Sequence, residues 1–237
     1  MPRSAVVLLA AGEGRRVGAG TNKVLLPLLG QPVFTWSVRR ALGLPEVTHV
    51  VLVIRPEDRA AVDAGLEQVA EEHPGARIWI VPGGSTRHGS EWNALQAVAA
   101  AVDAGEVDVV AIHDTARPLA DTELFAAVAR TAYEHGGALP VRTRSDLLRR
   151  SDVGSEHPAG EPAGGLVAVQ TPQAFRAAPL LDAYRRAEAD GFVGTDTASC
   201  VEEYTDLEIH CVESPATNIK VTFPEDVALA ERLLQAE

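Results

Sequence analysis

Short apolar runs alternate along this chain with longer stretches in which apolar residues recur every three or four positions. The runs Ala5–Leu9, His49–Ile54, Ala76–Val81, Val107–His113, Ala138–Val141, Leu166–Gln170 and Glu208–Val212 have the length and composition of strands. The stretches Val33–Leu42, Pro56–Glu72, Ser90–Ala104, Asp121–His135, Ala178–Asp190, Thr197–Tyr204 and Pro224–Gln235 have the helical period, and Pro224 stands where a first helical turn favours proline. The first half runs strand, helix, strand, helix. This predicts an α/β fold with a doubly wound, mostly parallel sheet and right-handed crossovers. Ligands of such sheets sit beyond the carboxyl ends of the strands. The Gly-rich turn after the first strand falls there, as do Gly83-Gly84 after the third and Asp114 after the fourth.

One segment breaks the rhythm. Residues 142–165 are polar and rich in glycine and proline, with little to bury, and read as a hairpin arm leaving the sheet. Excursions of that length are usually functional or disordered. At 237 residues the chain is expected to form one domain over 1–237, with 142–165 as the excursion within it.

Composition narrows the partners. The net charge of −12 argues against nucleic-acid or anionic-membrane binding. Apolar residues make up 46% of the chain, enough for a sizeable core, but no unbroken run has membrane-spanning length. No signal-peptide pattern is read at the N-terminus. Cys200 and Cys211 are the only cysteines, which makes a disulfide framework improbable and suits a cytoplasmic protein. On such an acidic body, cations inside glycine-rich motifs are informative. Lys23 and Lys220 are the only two lysines, and both fall in motif-like segments.

The first strand runs into Ala10-Ala11-Gly12-Glu13-Gly14-Arg15-Arg16, with Lys23 soon after. Backbone N–H groups of such a turn can close on a polyphosphate while cations approach from the side. The Walker pattern is absent, and so is the third glycine of the dinucleotide fingerprint. Taken alone, the turn is equally an ordinary strand-to-loop connection. Gly83-Gly84-Ser85-Thr86-Arg87-His88-Gly89-Ser90 reads as a flexible turn with Ser90 as a helix N-cap, suited to contacts with a base or ribose. Asp114, in His113-Asp114-Thr115-Ala116-Arg117-Pro118, is placed for a magnesium ligand or for a structural pair with Arg117. Gln170-Thr171-Pro172-Gln173 is a polar turn. Gly194-Thr195-Asp196-Thr197-Ala198-Ser199 looks like a helix N-terminus with caps open to an anion, and Thr217–Thr222 delivers Lys220. No covalent nucleophile or histidine metal cluster is evident, so the chemistry expected is electrostatic positioning of phosphates.

In this order these segments resemble the sugar- and polyol-phosphate nucleotidylyltransferases, and most nearly the 2-C-methyl-D-erythritol 4-phosphate cytidylyltransferase family. The resemblance covers nearly the whole chain. It rests on Ala10-Ala11-Gly12-x-Gly14-x-Arg16 with Lys23, Gly83-Gly84-x-x-Arg87-x-x-Ser90, His113-Asp114-x-Ala116-Arg117-Pro118, Gln170-Thr171-Pro172-Gln173-x-Phe175, Thr195-Asp196-x-Ala198-Ser199 and Asn218-Ile219-Lys220-Val221-Thr222-x-Pro224-Glu225-Asp226. It implies a Rossmann-like nucleotidyltransferase fold that transfers CMP from CTP to a polyol phosphate, with release of pyrophosphate and Mg²⁺ or another divalent cation as cofactor. It implies that Ala10, Ala11, Gly12, Gly14, Arg16 and Lys23 surround the triphosphate, and that Gly83, Gly84 and Ser90 read cytosine and ribose. Asp114 would hold the metal and the nucleotide. Arg117, Thr171, Thr195 and Lys220 would line the acceptor side, with Arg16, Lys23 and Lys220 catalytic. A cytoplasmic homodimer, its arm crossing to the partner, is the implied assembly.

The departures from the family pattern cluster in the arm. The segment from Arg142 aligns only with a shift, and Ala163 stands where the family carries an arginine for the partner's substrate phosphate. Arg144, Arg149 or Arg150 is the available replacement. Asn22 replaces the usual proline before Lys23, and Thr115 an alanine. An acceptor other than methylerythritol phosphate, such as ribitol 5-phosphate, or a non-catalytic nucleotide-binding relative, stays open on these residues.

Overall fold

The computed structural model describes residues 2–12, 22–143 and 166–236. Its central sheet runs, from one edge, β5 (Ile78–Pro82), β4 (Val47–Ile54), β1 (Ser4–Leu9), β6 (Val109–Asp114), β9 (Gln173–Arg176), β7 (Gly136–Thr143) and β10 (Glu208–Glu213), with β8 (Val167–Val169) paired to β7. Strands β5, β4, β1 and β6 are mutually parallel, and so are β7 and β10. Strand β9 lies antiparallel between β6 and β7, so β6 and β7 point the same way. The chain moves outward from β1 through β4 to β5 and then returns to β6 on the other side. That reversal makes the β1–β6 boundary the switch point where a ligand crevice forms.

Alternation explains why these strands are apolar throughout. On β1, Ala5 and Val7 face the layer of α3 (Arg87–Asp103), α5 (Ala177–Asp190) and α6 (Thr197–Tyr204). Val6 and Leu8 face the opposite layer of α1 (Val33–Leu42), α2 (Arg59–Glu72) and α4 (Thr122–His135). Both faces are covered, so neither can be polar. Leu28 of a short hairpin, β2 (Pro27–Leu28) with β3 (Gln31–Pro32), clusters with Val33 at the start of α1, Val221 and Ala230, the last on α7 (Pro224–Leu234). Pro224 starts α7 as expected, and the Asp226 carboxylate accepts the Thr222 and Phe223 N–H groups.

The predicted elements agree with this fold, apart from β9 and the small hairpin. Gln173–Arg176 is only four residues long and opens on a glutamine, too short to display a period, yet Gln173, Ala174 and Phe175 are all buried. The Leu166–Gln170 run forms a hairpin partner for β7, and Arg142 and Thr143 still belong to β7. The rest of the expected arm, 144–165, lies outside the described residues, and with it Arg144, Arg149, Arg150 and Ala163. Among the described residues no helix is long and apolar enough to cross a membrane.

Candidate active site

The carboxyl ends of β1, β4, β5 and β6 open onto a cavity of about 530 Å³, within the range of small-molecule sites. Ala11 and Gly12 wall it beyond β1, Arg55 to Glu57 beyond β4, and Gly83 to Arg87 beyond β5. Lys23 enters from a single 3-10 turn, Lys23–Leu25, while Asp114 ends β6 and Lys220 arrives from the segment before α7.

Two glycines let these loops close. A Cβ at Gly83 would lie 2.4 Å from the Ala11 Cβ, and one at Gly84 would lie 2.6 Å from the Gly89 carbonyl carbon. The first permits the β1 and β5 loops to touch; the second permits the β5 loop to cross the start of α3. Ser90 fastens this crossing, accepting from the Gly84 N–H at 3.0 Å and donating to the Thr86 carbonyl at 2.9 Å. Ser90 is therefore not the N-cap that the sequence suggests. Thr86 is, because its backbone is extended and its Oγ1 accepts the Gly89 N–H at 2.9 Å, which places Ser90 inside the first turn of α3.

Asp114 is 8% exposed, and each of its carboxylate oxygens meets a cation. Arg87 Nη1 donates to Oδ1, and Lys220 Nζ donates to Oδ2 at 2.6 Å. Burial pushes the Asp114 carboxyl up, but Arg87 and Lys220 override it and hold the group well below the usual carboxylate range. Burial likewise works against the Arg87 charge, yet Asp114 and Glu91 raise its pKa above the ordinary value. Arg87 Nε lies 3.0 Å from Glu91 Oε1 without the alignment of a hydrogen bond. Glu91 is fully buried and accepts from the Tyr184 hydroxyl at 2.6 Å and the Thr197 hydroxyl at 2.9 Å. Burial nonetheless leaves the Glu91 carboxyl raised, against the opposing pull of Arg87 and the two hydroxyls.

The floor is held from behind by a relay of neutral groups. The Thr171 hydroxyl accepts the Asp114 N–H at 3.1 Å, so its own proton is available to His113 Nδ1, also at 3.1 Å. That arrangement assigns the remaining ring proton to Nε2, which faces the Arg117 carbonyl at 3.2 Å. His113 is fully buried, and burial pushes its pKa down to about 4, so the ring is neutral.

Both small departures in the nucleotide half find partners. Asn22 is buried and its Nδ2 donates to the Ala10 carbonyl and to Asp58 Oδ2, each at 2.8 Å. Burial opposes ionisation of Asp58, but Arg55 and Asn22 lower its pKa. Lys23 is thereby anchored to the ends of β1 and β4. The buried Thr115 hydroxyl donates to the Leu9 carbonyl at 2.8 Å, tying the end of β6 to the end of β1.

Of the residues singled out in the sequence, Ala11, Gly12, Lys23, Gly83, Gly84, Ser90, Asp114 and Lys220 line the cavity. Gly14 and Arg16 lie outside the described residues. Ala10 is buried one step behind the wall, with its N–H on the Val53 carbonyl at 2.8 Å. Arg117, Thr171 and Thr195 are not in the wall. Arg117 Nη1 donates to the Asn218 carbonyl at 2.8 Å, Thr171 is spent on the relay, and Thr195 is exposed before α6. The N-terminus of α6 is closed rather than open to an anion. Asp196 and Ser199 form a capping box, and the Ala198 N–H donates to Gln173 Oε1 at 3.2 Å. The sequence reading missed Arg55, Glu57 and the Glu91 network. Arg87 and Glu91 are four apart on one helix face, a spacing that does point to a pair.

A family model described as 2-C-methyl-D-erythritol 4-phosphate cytidylyltransferase matches residues 4–236. The chain is 37% identical over 243 aligned positions to the protein of that name from Solibacter usitatus, covering 98% of this chain and 96% of the relative. It is 38% identical over 232 positions to the one from Symbiobacterium thermophilum, covering 98% and 93%. The crystal structure of the same-named protein from Thermus thermophilus superposes with a TM-score of 0.69 at 27% identity, covering 99% of this chain and 100% of that one. The 4-diphosphocytidyl-2C-methyl-D-erythritol synthase from Anaerococcus prevotii shares the fold with a TM-score of 0.79 at 23% identity, covering 99% and 96%.

Proposed function

The chain belongs to the 2-C-methyl-D-erythritol 4-phosphate cytidylyltransferase family, and from that premise we propose how its cavity carries out the reaction. The enzyme is a nucleotidyltransferase that moves the cytidylyl group of CTP onto 2-C-methyl-D-erythritol 4-phosphate in isoprenoid biosynthesis. An acceptor phosphate oxygen attacks the α-phosphorus of CTP. A new P–O bond forms, the bond to the β-phosphate oxygen breaks, and pyrophosphate leaves.

The observation that carries the assignment of this cavity is its charge. Among the described residues its wall holds four cations, Lys23, Arg55, Arg87 and Lys220, and two carboxylates, Glu57 and Asp114, on a chain with a net charge of −12. Asp58 and Glu91 stand behind Arg55 and Arg87 and hold them in place, so the cations are fixed donors at the cavity surface where a polyphosphate can meet them. The Ala11–Gly12 turn faces the triphosphate, and the family motif assigns Gly14 and Arg16 to the same group. Lys23 neutralises charge that grows on the α-phosphate in the transition state. The Gly83–Ser90 loop takes the cytosine and ribose, and Lys220 stands between nucleotide and acceptor. Arg117 and Thr171 serve the acceptor side indirectly, through their holds on the Asn218 carbonyl and the Asp114 N–H, and the exposed Thr195 is left to meet the acceptor itself.

Asp114 suits Mg²⁺ as a single protein ligand, because it is ionised and lies at the cavity floor. Mg²⁺ takes most of its oxygens from phosphates and water. Both Asp114 oxygens carry a cation, so a metal held by Asp114 would share its carboxylate with Arg87 or Lys220. When bound, the ion would add positive charge at the phosphate oxygens. The exposed Val167 and Val169 on β8 support a homodimer formed through that strand. The free thiols of Cys200 and Cys211 suit the cytoplasm.

The test is pyrophosphate release from CTP, Mg²⁺ and 2-C-methyl-D-erythritol 4-phosphate, run beside ribitol 5-phosphate and the other nucleoside triphosphates. Release with CTP and the methylerythritol acceptor alone is expected. Silence at high enzyme concentration, or a preference for another acceptor, overturns the reading.

A further inference from the structure

We infer that His135, Glu208 and His210 form a second, non-catalytic site for a divalent transition metal ion of the zinc type. The three residues meet at the amino ends of β7 and β10. Glu208 pairs with Gly136 and His210 with Ala138, and His135 closes α4 immediately before Gly136. Glu208 and His210 are two apart on one strand and therefore share a face. His210 Nε2 lies 3.4 Å from Glu208 Oε2. The His135 ring stacks on that of His210 with centroids 3.9 Å apart and planes within 10°. One donor atom from each residue falls within 4.8 Å of the others.

Tetrahedral zinc, with bonds of about 2.0–2.2 Å, holds its donors roughly 3.4 Å apart. The Glu208–His210 pair has that spacing already. Imidazole nitrogens bind a metal in the ring plane, so the parallel stack must open and one ring turn toward the ion, for which there is room, since the His135 and His210 side chains are 41% and 42% exposed. Two imidazoles and one carboxylate are a zinc-type donor set, with water completing the shell. The Glu134 carboxylate, 3.9 Å from His135 Nε2, adds negative charge beside it. The ion would pin the edge strand β10 to the α4–β7 junction. The active-site cavity opens at the carboxyl ends of the strands, so the two sites lie at opposite ends of the sheet. This inference does not depend on the proposed function.

The experiment uses full-length protein stripped with EDTA, dialysed, and titrated with ZnCl₂ by calorimetry, with Co²⁺ absorption reporting the coordination geometry. One equivalent per chain, a tetrahedral Co²⁺ spectrum and a rise in melting temperature with zinc are expected. His135→Ala, His210→Ala and Glu208→Gln should each weaken zinc binding by at least about tenfold and remove the thermal shift, with pyrophosphate release unchanged. The site is refuted if zinc fails to bind, or if it binds equally well to all three variants, as it would at the nucleotide cavity. Because Glu208→Gln is nearly isosteric and exposed, it keeps the test decisive should a histidine variant fold poorly.

Discussion

Tyr184 donates its phenolic proton to the Glu91 carboxylate across 2.6 Å in the interior of the protein. Through Glu91 the bond supports Arg87, and through Arg87 it supports Asp114 at the cavity floor. Hydrogen bonds to a charged group contribute about 1.5–3 kcal/mol. Tyr184→Phe removes this one and leaves Glu91 short of a donor that water cannot replace. Urea denaturation should therefore show a loss of about 1.5–3 kcal/mol. A loss below ~0.5 kcal/mol, the size of an ordinary surface change, would mean that Glu91 is satisfied without Tyr184.

Lys23 reaches the cavity from a turn that Asn22 fastens to β1 and Asp58. Its charge is needed most when negative charge builds on the α-phosphate. Lys23→Ala should lower kcat by about 10²–10³-fold, while the calorimetric Kd for CTP changes far less. Equal losses in kcat and CTP binding would instead make Lys23 a ground-state contact.

His113 ties stability to pH. In the fold, burial pushes its pKa down to about 4, whereas the unfolded chain takes up that proton near 6.5. Between these values the unfolded state holds more protons on this side chain, so its contribution to stability falls by ~3 kcal/mol as the pH drops from about 6.5 to 4, and His88, also lowered by burial, adds in the same direction. Asp114 is also depressed, but its contribution is lost only below the ordinary carboxylate range of about pH 4. Denaturation midpoints across this window should fall in the native protein and stay flatter in His113→Gln. Parallel curves for the two would show that His113 does not carry the dependence.

The elements that the sequence displays plainly are those with a period long enough to count. β1, β4 and β6 are apolar because helices cover both faces, and α1 and α6 begin and end where the pattern places them. Strand β9 was hidden because its four residues owe their burial to β6 and β7 on either side, not to a pattern of their own. The cavity was legible where glycine and charge share a motif, as at Gly83, Asp114 and Lys220. It was not legible where the partner is remote: nothing near Glu91 in the sequence announces Tyr184 or Thr197. Ser90 was misplaced because serine and threonine cap equally well, and only the extended backbone at Thr86 decides between them.

Gly83 offers the sharpest steric test. A Cβ there would sit 2.4 Å from the Ala11 Cβ and 3.4 Å from Ser90 Oγ. Neither neighbour can rotate away, since one is a methyl on backbone and the other is held by Gly84 and Thr86. Gly83→Ala must therefore push the β1 and β5 loops apart, costing about 1–3 kcal/mol of stability as overpacking does. The same displacement widens the gap between the triphosphate turn and the loop assigned to the nucleoside. KM for CTP should rise several-fold while the acceptor KM, set at the Lys220 side, stays near its native value. Steady-state kinetics with each substrate varied in turn separates the two. A rise in the acceptor KM alone would place the nucleotide elsewhere than between Ala11 and Ser90.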